Sequence, residues 1–312
     1  MSGLRIGVLG ASRIAELAIV SPAAALGHRL VAVAARDRGR AETFAGSYGV
    51  ERVADSYADL VADPEVDVVY NPLANAFQAP WNLAAIQAGK AVLAEKPFAC
   101  NATEAEVVRE AAHRRGAVVM EGFHYLFHPI IQRMFGLLDD GTLGTLKHVE
   151  VVMKMSEPKP DDPRWSLQLA GGCLMDLGSY GLHVHRHLAR FAGGAPTIVG
   201  ARATERSTGV DESFDVDLTF PNEASGSVVR SMTASKSRPT PAPRSSTSGP
   251  ARPTPTNCRP SPTTSSTAHR CHSTSTTPSR TCTISTPPTP RPECPHADHS
   301  RNTKSALRQC DS

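Results

Sequence analysis

Along the first 122 positions, short apolar runs alternate with stretches of helical spacing. Leu4 to Leu9, Arg29 to Ala35, Val66 to Tyr70, Ala91 to Ala94 and Ala117 to Met120 read as strands. Their nearly continuous apolar character is that of strands covered on both faces. Strands alternating with helices predict a parallel sheet wound in right-handed crossovers. Further on the period changes. Leu174, Leu177, Gly181, Val184, Leu188 and Phe191 recur at steps of three and four, a buried helical stripe, while Asp176, Tyr180, His183 and His187 follow the same steps on another face. Glu212 to Phe220 and Gly226 to Ser231 read as strands of a second domain.

The pattern stops near Met232. Beyond it Ile284 and Leu307 are the only large aliphatic or aromatic residues, with no Val, Phe, Tyr or Trp, too few to offset chain entropy by burial. Residues 233–312 therefore read as a disordered Pro/Ser/Thr-rich tail, leaving 1–122 and 123–232 as two folded parts. The tail also carries 11 Lys/Arg against Glu293, Asp298 and Asp311, so the formal net charge of +3 conceals an acidic folded part. The basic pI gives no ground for a nucleic-acid surface. Five of the seven cysteines lie in the tail without CxxC spacing, which fits a reducing compartment. With no secretory segment at the start and no apolar run of membrane-spanning length, a cytoplasmic protein is expected.

Three motifs carry candidate chemistry. Gly10-Ala11-Ser12-Arg13-Ile14-Ala15 follows the first strand and matches the dinucleotide fingerprint G-x-G-x-x-G/A, with Ser12 at the second glycine. Gly10 permits the tight turn, Ser12 lets the backbone approach a pyrophosphate, and the helix N-terminus offers free N–H groups to phosphates. After the second strand, where a carboxylate would serve a free ribose 2′-hydroxyl, stand Ala35, Arg36 and, one turn on, Arg40. Two guanidinium groups suit a 2′-phosphate and favour NADP over NAD; Asp37 is the competing reading, as ribose acceptor. At the end of the fourth strand, Glu95-Lys96-Pro97 places a lysine where proline stops the ladder and the ligand crevice opens. Lys96 beside Tyr180 and Asp176 makes an acid/base set in which Lys96 lowers the Tyr180 pKa, Tyr180 moves the substrate proton, and Asp176 orients the lysine. A zinc site at His183 and His187 is the weaker alternative, because His185 points elsewhere and no cysteine joins them.

With Gly10 to Ala15, Glu95-Lys96-Pro97, Met120-Glu121-Gly122-Phe123 and the Gly171 to Tyr180 run, residues 4 to 232 strongly resemble the Gfo/Idh/MocA oxidoreductases. The resemblance implies an α/β chain with a Rossmann domain, a doubly wound parallel sheet, followed by an α+β domain with an open, mostly antiparallel sheet commonly used for dimerisation. Tyr180, where inositol dehydrogenases carry histidine, is more similar to the dimeric dihydrodiol dehydrogenase, NADP xylose dehydrogenase and glucose-fructose oxidoreductase branch. The implied activity is NADP-dependent hydride transfer at a carbinol or carbonyl carbon of a sugar, polyol or trans-dihydrodiol, with Lys96, Tyr180 and Asp176 catalytic. Gly10, Ser12, Arg13, Ile14, Arg36, Arg40, Pro72, Leu73, Asn75, Glu95 and Lys96 are the expected cofactor contacts. Arg164, Trp165, His183 and Tyr125, with Trp81, are the expected substrate lining. No resident metal and no nucleic-acid or membrane partner are expected.

Gln78, His124, Leu126 and Cys173 depart from the family pattern, which points to a retuned pocket. The larger departure is the tail, where the family continues its sheet and ends in a helix. Shifted by one reading frame, the codons of Ser279 to Pro295 are able to spell such a helix and the turn after it. A frame change near Met232 is therefore the reading for the tail, tested by resequencing the gene. It leaves the second sheet truncated, makes the family's homodimer doubtful for this chain, and sets a non-catalytic NADP-binding remnant beside the enzyme as the alternative.

Overall fold

The computed structural model describes residues 3–232; the tail and the expectations attached to it lie outside the described residues. Five parallel strands, β1 (Arg5–Leu9), β2 (Arg29–Ala34), β3 (Val68–Asn71), β4 (Ala91–Ala94) and β5 (Val119–Glu121), form one sheet in the order β2-β1-β3-β4-β5. A π-helical turn, Glu16–Val20, runs into α1 (Ser21–Leu26) between the first two strands, and α2 (Arg38–Tyr48) and α3 (Tyr57–Ala62) follow β2. The connections after β3 and β4 are α4 (Gln78–Gln87) and α5 (Ala102–Arg115). Asp37, Ser56 and Asn101 accept from the backbone N–H of Arg40, Asp59 and Glu104, so α2, α3 and α5 each start on a side-chain cap.

The helices cover both sheet faces. Ile6, Val8, Val33 and Tyr70 pack with Ile19 and Phe44 on one side; Leu9, Val31, Val69 and Val92 pack with Leu60, Ile86 and Val108 on the other. Burying each such side chain contributes about 1.5–3 kcal/mol. The chain direction reverses in sheet order between β1 and β3, and a doubly wound sheet opens its ligand crevice there, outside the carboxyl ends of the strands.

The second part begins with α6 (Pro129–Asp139). Its sheet of β6 (His148–Lys154), β7 (Thr197–Ser207), β8 (Val210–Thr219) and β9 (Ser225–Ser231) has the order β6-β9-β8-β7. It is mixed: β9–β8 and β8–β7 are antiparallel, whereas β6 and β9 run parallel. A π-helical turn, Leu174–Gly178, continues into α7 (Ser179–Leu188), which lies against this sheet. Leu177 and Cys173 pack with Phe214, Val216 and Val228, and Leu188 packs with Val149 and Phe220.

The expected helical stripe holds from Leu177 onward. Leu174 leaves it, at 43% exposure, because the wide turn rotates the first residues off the stripe. β6 and β7 have no counterpart in the sequence reading, since β7 is exposed along almost its whole length and so lacks the alternation that marks a half-buried strand. Among the described residues no helix is long and apolar enough to cross a membrane.

Candidate active site

The candidate residues of the first sheet emerge on its carboxyl side. Gly10 follows β1, Arg36 follows β2, Pro72 and Leu73 follow β3, Glu95 and Lys96 follow β4, and Gly122 follows β5. The Gly10 backbone has φ +81°, and a Cβ there would stand 3.0 Å from Leu73 Cδ2, so only glycine makes this turn without strain. Ser12 Oγ is buried and has no hydrogen-bond partner among the described residues. A buried hydroxyl without a partner costs about 1–3 kcal/mol, and a phosphate oxygen is the acceptor this position would take. The helix behind it has no side-chain cap at Ala15, which leaves its first N–H groups for an anion. Arg13 and Ile14 are exposed beside it. These features fit a dinucleotide.

At the neighbouring edge Arg36 and Arg40 are both exposed, and Arg40 Nη2 donates to the Ala11 carbonyl at 3.1 Å, which holds this guanidinium against the fingerprint loop. Asp37 Oδ1 accepts the Arg40 N–H at 3.1 Å as the cap of α2, so one of its two oxygens serves the helix. Tyr57 closes this corner. Burial raises its pKa, against the opposing effects of the Arg36 backbone N–H and the Arg36 and Arg40 charges.

Lys96 and Asp176 meet between the two sheets. Lys96 Nζ donates to the Asp176 carboxylate and to the Asp176 carbonyl, each at 2.7 Å, with the two side chains only 13% and 18% exposed. Arg164 Nε donates to the other carboxylate oxygen at 2.7 Å and its Nη1 also pairs with Asp162. Burial alone would raise the Asp176 pKa; Lys96 and then Arg164 more than offset it and hold the carboxyl below its ordinary range. Asp176 thus meets the lysine, while Arg164, expected to line the substrate, is engaged by two carboxylates.

Tyr180 corrects an expectation. Lys96 Nζ lies 4.9 Å from the centre of the Tyr180 ring, over its face, and its hydrogen bonds go to Asp176. The phenol is therefore not acidified. Burial first, then Glu95 and Asp176, pushes its pKa up to about 12. Glu95 itself accepts a hydrogen bond from Tyr70 at 2.7 Å.

Aromatic rings line the far side. Tyr125 Oη and His183 Nδ1 are 2.7 Å apart, Phe123 stacks on His183 at 3.7 Å, and Phe123 meets Tyr180 edge-on at 5.3 Å. Burial, with His187 and Arg186 nearby, lowers the His183 pKa to about 4, so this imidazole is neutral at working pH. The remaining expected residues stand apart from this cluster. Asn75 donates to the Ala170 carbonyl at 2.8 Å and so ties the first domain to the loop before Gly171. Trp165 donates to the Pro158 carbonyl and carries the Arg206 guanidinium over its ring at 4.4 Å. Trp81 is buried in the first core, edge-on to Tyr57, and Gln78 donates to the Asn71 and Leu73 carbonyls; both shape the loop after β3 from within. His185 bonds the Gly181 carbonyl through Nδ1, leaving His183 and His187 as a pair, and no metal-binding group of three or more ligands occurs among the described residues.

Three residues were missed. Glu121 accepts the Phe98 N–H at 3.0 Å and has its pKa raised by burial, against the opposing effects of that N–H and of Lys96. Asp211, on β8, accepts the Leu174 N–H at 2.8 Å and caps the helical turn that carries Asp176. A Cβ on Gly172, whose φ is +115°, would collide with this carboxylate. Arg230 lies buried beneath the same turn. Glu121 lies in the Met120-Glu121-Gly122-Phe123 motif, a local signal; Asp211 and Arg230 are single charges on strands with no local pattern to mark them.

Known proteins place this arrangement. The family described as "Oxidoreductase family, NAD-binding Rossmann fold" matches residues 4–123, and the Gfo/Idh/MocA C-terminal domain matches residues 131–246. D-xylose 1-dehydrogenase (NADP(+)) 2 of Haloferax volcanii is 34% identical over 233 residues, covering 73% of this chain and 70% of its own. The trans-1,2-dihydrobenzene-1,2-diol dehydrogenase of Mus musculus is 34% identical over 236 residues, covering 74% and 69%. Among solved structures, the 3-ketoreductase KijD10 of Actinomadura kijaniata, crystallised with NADP and TDP-benzene, superposes with a TM-score of 0.67 at 32% identity, covering 74% of this chain and 70% of its own. With both of its domains matched and a solved relative sharing its fold, the chain belongs to the Gfo/Idh/MocA family of oxidoreductases.

Proposed function

We propose that this chain is an NADP-dependent oxidoreductase acting on a carbinol or carbonyl carbon of a sugar, polyol or trans-dihydrodiol. The observation that carries the reading is the Lys96–Asp176 pair, with Lys96 over the Tyr180 ring, at the carboxyl ends of the parallel strands. In KijD10 the lysine and the tyrosine replaced in crystallised variants stand 84 positions apart, the separation of Lys96 and Tyr180. Residues 1–122 bind the nucleotide in this reading, and 123–232 bind the substrate. A cytoplasmic location belongs to it too, while the homodimer expected for the family stays in doubt for this chain.

The nucleotide would be held by Gly10, Ser12, Arg13 and Ile14 at the phosphates, and by Pro72, Leu73 and Glu95 along the strand ends. When bound, its nicotinamide supplies or accepts the hydride. The chain's own residues manage the proton and the charge. Lys96, fixed by Asp176, directs an ammonium at the substrate oxygen and stabilises negative charge there. Tyr180, neutral at working pH, gives that oxygen its proton in the direction of reduction. Tyr125 and His183 present one hydrogen-bonded polar edge to the substrate, backed by Phe123.

Absorbance at the reduced nicotinamide, followed over a panel of aldoses, polyols and dihydrodiols with each nucleotide, tests the assignment. NADPH binding without turnover on the whole panel would remove the enzyme reading. Preference for NADP rests on Arg36 and Arg40. Replacing both by alanine should weaken NADPH binding on the order of tenfold or more, the size of a lost charged hydrogen bond, and leave NADH binding nearly unchanged; equal losses for both nucleotides in a fluorescence titration would return Asp37 to the ribose.

A further inference from the structure

The Arg230 guanidinium is 1% exposed and lies on β9, directly under the turn that carries Asp176. No carboxylate among the described residues pairs with it. Its Nε donates to the Leu177 carbonyl at 3.2 Å, and its Nη1 donates to the Val229 carbonyl at 2.8 Å and to the Val151 carbonyl. Among the described residues Nη2 has no hydrogen-bond partner, and a Cβ on Gly181 would come within 2.7 Å of it. Burial pushes its pKa down to about 10. A charge taken from water and compensated only by carbonyls is costly, and an apolar side chain would fill the same volume more cheaply.

What this charge secures is visible in the turn. Leu174–Gly178 is π-helical, wider than an α-helix, and such turns are frequent at functional sites. Two successive carbonyls of this turn accept hydrogen bonds from side-chain cations of different elements. Lys96 of the first domain takes the Asp176 carbonyl, and Arg230 of the second sheet takes the Leu177 carbonyl. Asp211 fixes the start of the same turn through the Leu174 N–H.

We propose that Arg230 is a positioning residue for the Lys96–Asp176 pair: by holding the Leu177 carbonyl it sets the turn that presents the Asp176 carbonyl and one carboxylate oxygen to Lys96. This rests on the reading of Lys96 and Asp176 as the reactive pair, yet the contact itself is measurable without turnover. The full chain, wild type and with Arg230→Met or Arg230→Lys, is treated without nucleotide with an amine-acylating reagent, and labelling rates at Lys96 and Lys90 are read by peptide mass spectrometry. Lys90 is the internal reference, held by the Asp63 and Val66 carbonyls at 2.6 and 2.8 Å.

The expected result for Arg230→Met is a rise in Lys96 labelling of about tenfold relative to Lys90, as for loss of a charged hydrogen bond, with a smaller rise for Arg230→Lys. An unchanged ratio, or Lys96 and Lys90 rising together, would overturn the proposal in favour of a purely structural role. If the methionine variant does not fold, the lysine variant decides by the same ratio. Wild-type turnover, measured separately, reports on the reading of the pair and leaves this ratio untouched.

Discussion

Exchanging Lys96 for methionine should lower kcat on the order of a thousandfold, the range expected when a group acting on the proton and charge of the reacting oxygen is removed. The substitution keeps an unbranched side chain of nearly the same reach and removes the ammonium with its hydrogen bonds to Asp176. Nucleotide affinity should change far less than kcat, because the phosphate loop at Gly10 and the Arg36/Arg40 corner are built from other elements. The second effect concerns Asp176, whose carboxyl is kept low chiefly by Lys96 and then Arg164 against the opposing effect of burial. Without the lysine its pKa must rise. A carboxyl held low in the folded state contributes stability above its unfolded pKa, and loses it as pH falls through the folded one. The variant should therefore be less stable than wild type at neutral pH, with the gap closing as pH falls through the wild-type carboxyl's folded pKa. A thermal-unfolding series against pH reads this gap, and kcat with NADPH reads the first effect. A Lys96→Met protein with more than a tenth of wild-type kcat would take the lysine out of the chemistry.

How far the site was legible depends on whether its signal is local. Gly10, Ser12, Arg36 and Lys96 sit at strand ends whose apolar runs are unmistakable, and the rule that parallel sheets bind ligands at their carboxyl edge converts each position into a place. Asp176 and Tyr180 were legible through helical spacing. The spacing did not reveal that their turn is π-helical, because the same residues fit an α-helix until the packing of Leu174 is known. Arg164 and Asn75 carried the right chemistry for ligand contact, but a long-range partner claimed each: Asp176 in one case and the Ala170 carbonyl in the other. Tyr180 differs in another way. A lysine within reach of a phenol suggests acidification, but here the ammonium faces the ring and the hydroxyl feels burial and two carboxylates. Direction within a contact is tertiary information, and no spacing rule contains it.

That orientation makes the exchange of Tyr180 for phenylalanine a sharp test. With a pKa of about 12, the phenol is protonated across the physiological range, so it is already in the form that donates. Reduction of a carbonyl should accordingly hold a level kcat from about pH 7 to about pH 10, falling only as the phenol ionises. Oxidation runs the other way and needs the tyrosyl oxygen free to accept. Its kcat should climb roughly tenfold for each pH unit over the same span, because the ionised fraction does so below the pKa. Phenylalanine keeps the ring that meets Phe123 edge-on and lies under Lys96, so fold and nucleotide binding should survive. It removes the only atom that moves the proton. Reductive kcat should fall about a hundredfold or more with little change in KM, and the pH dependence of oxidation should flatten. Should the steep rise of oxidation with pH persist in the phenylalanine variant, the titrating group lies elsewhere, and the neighbouring phenol of Tyr125, which burial also keeps protonated, becomes the donor to examine by the same substitution.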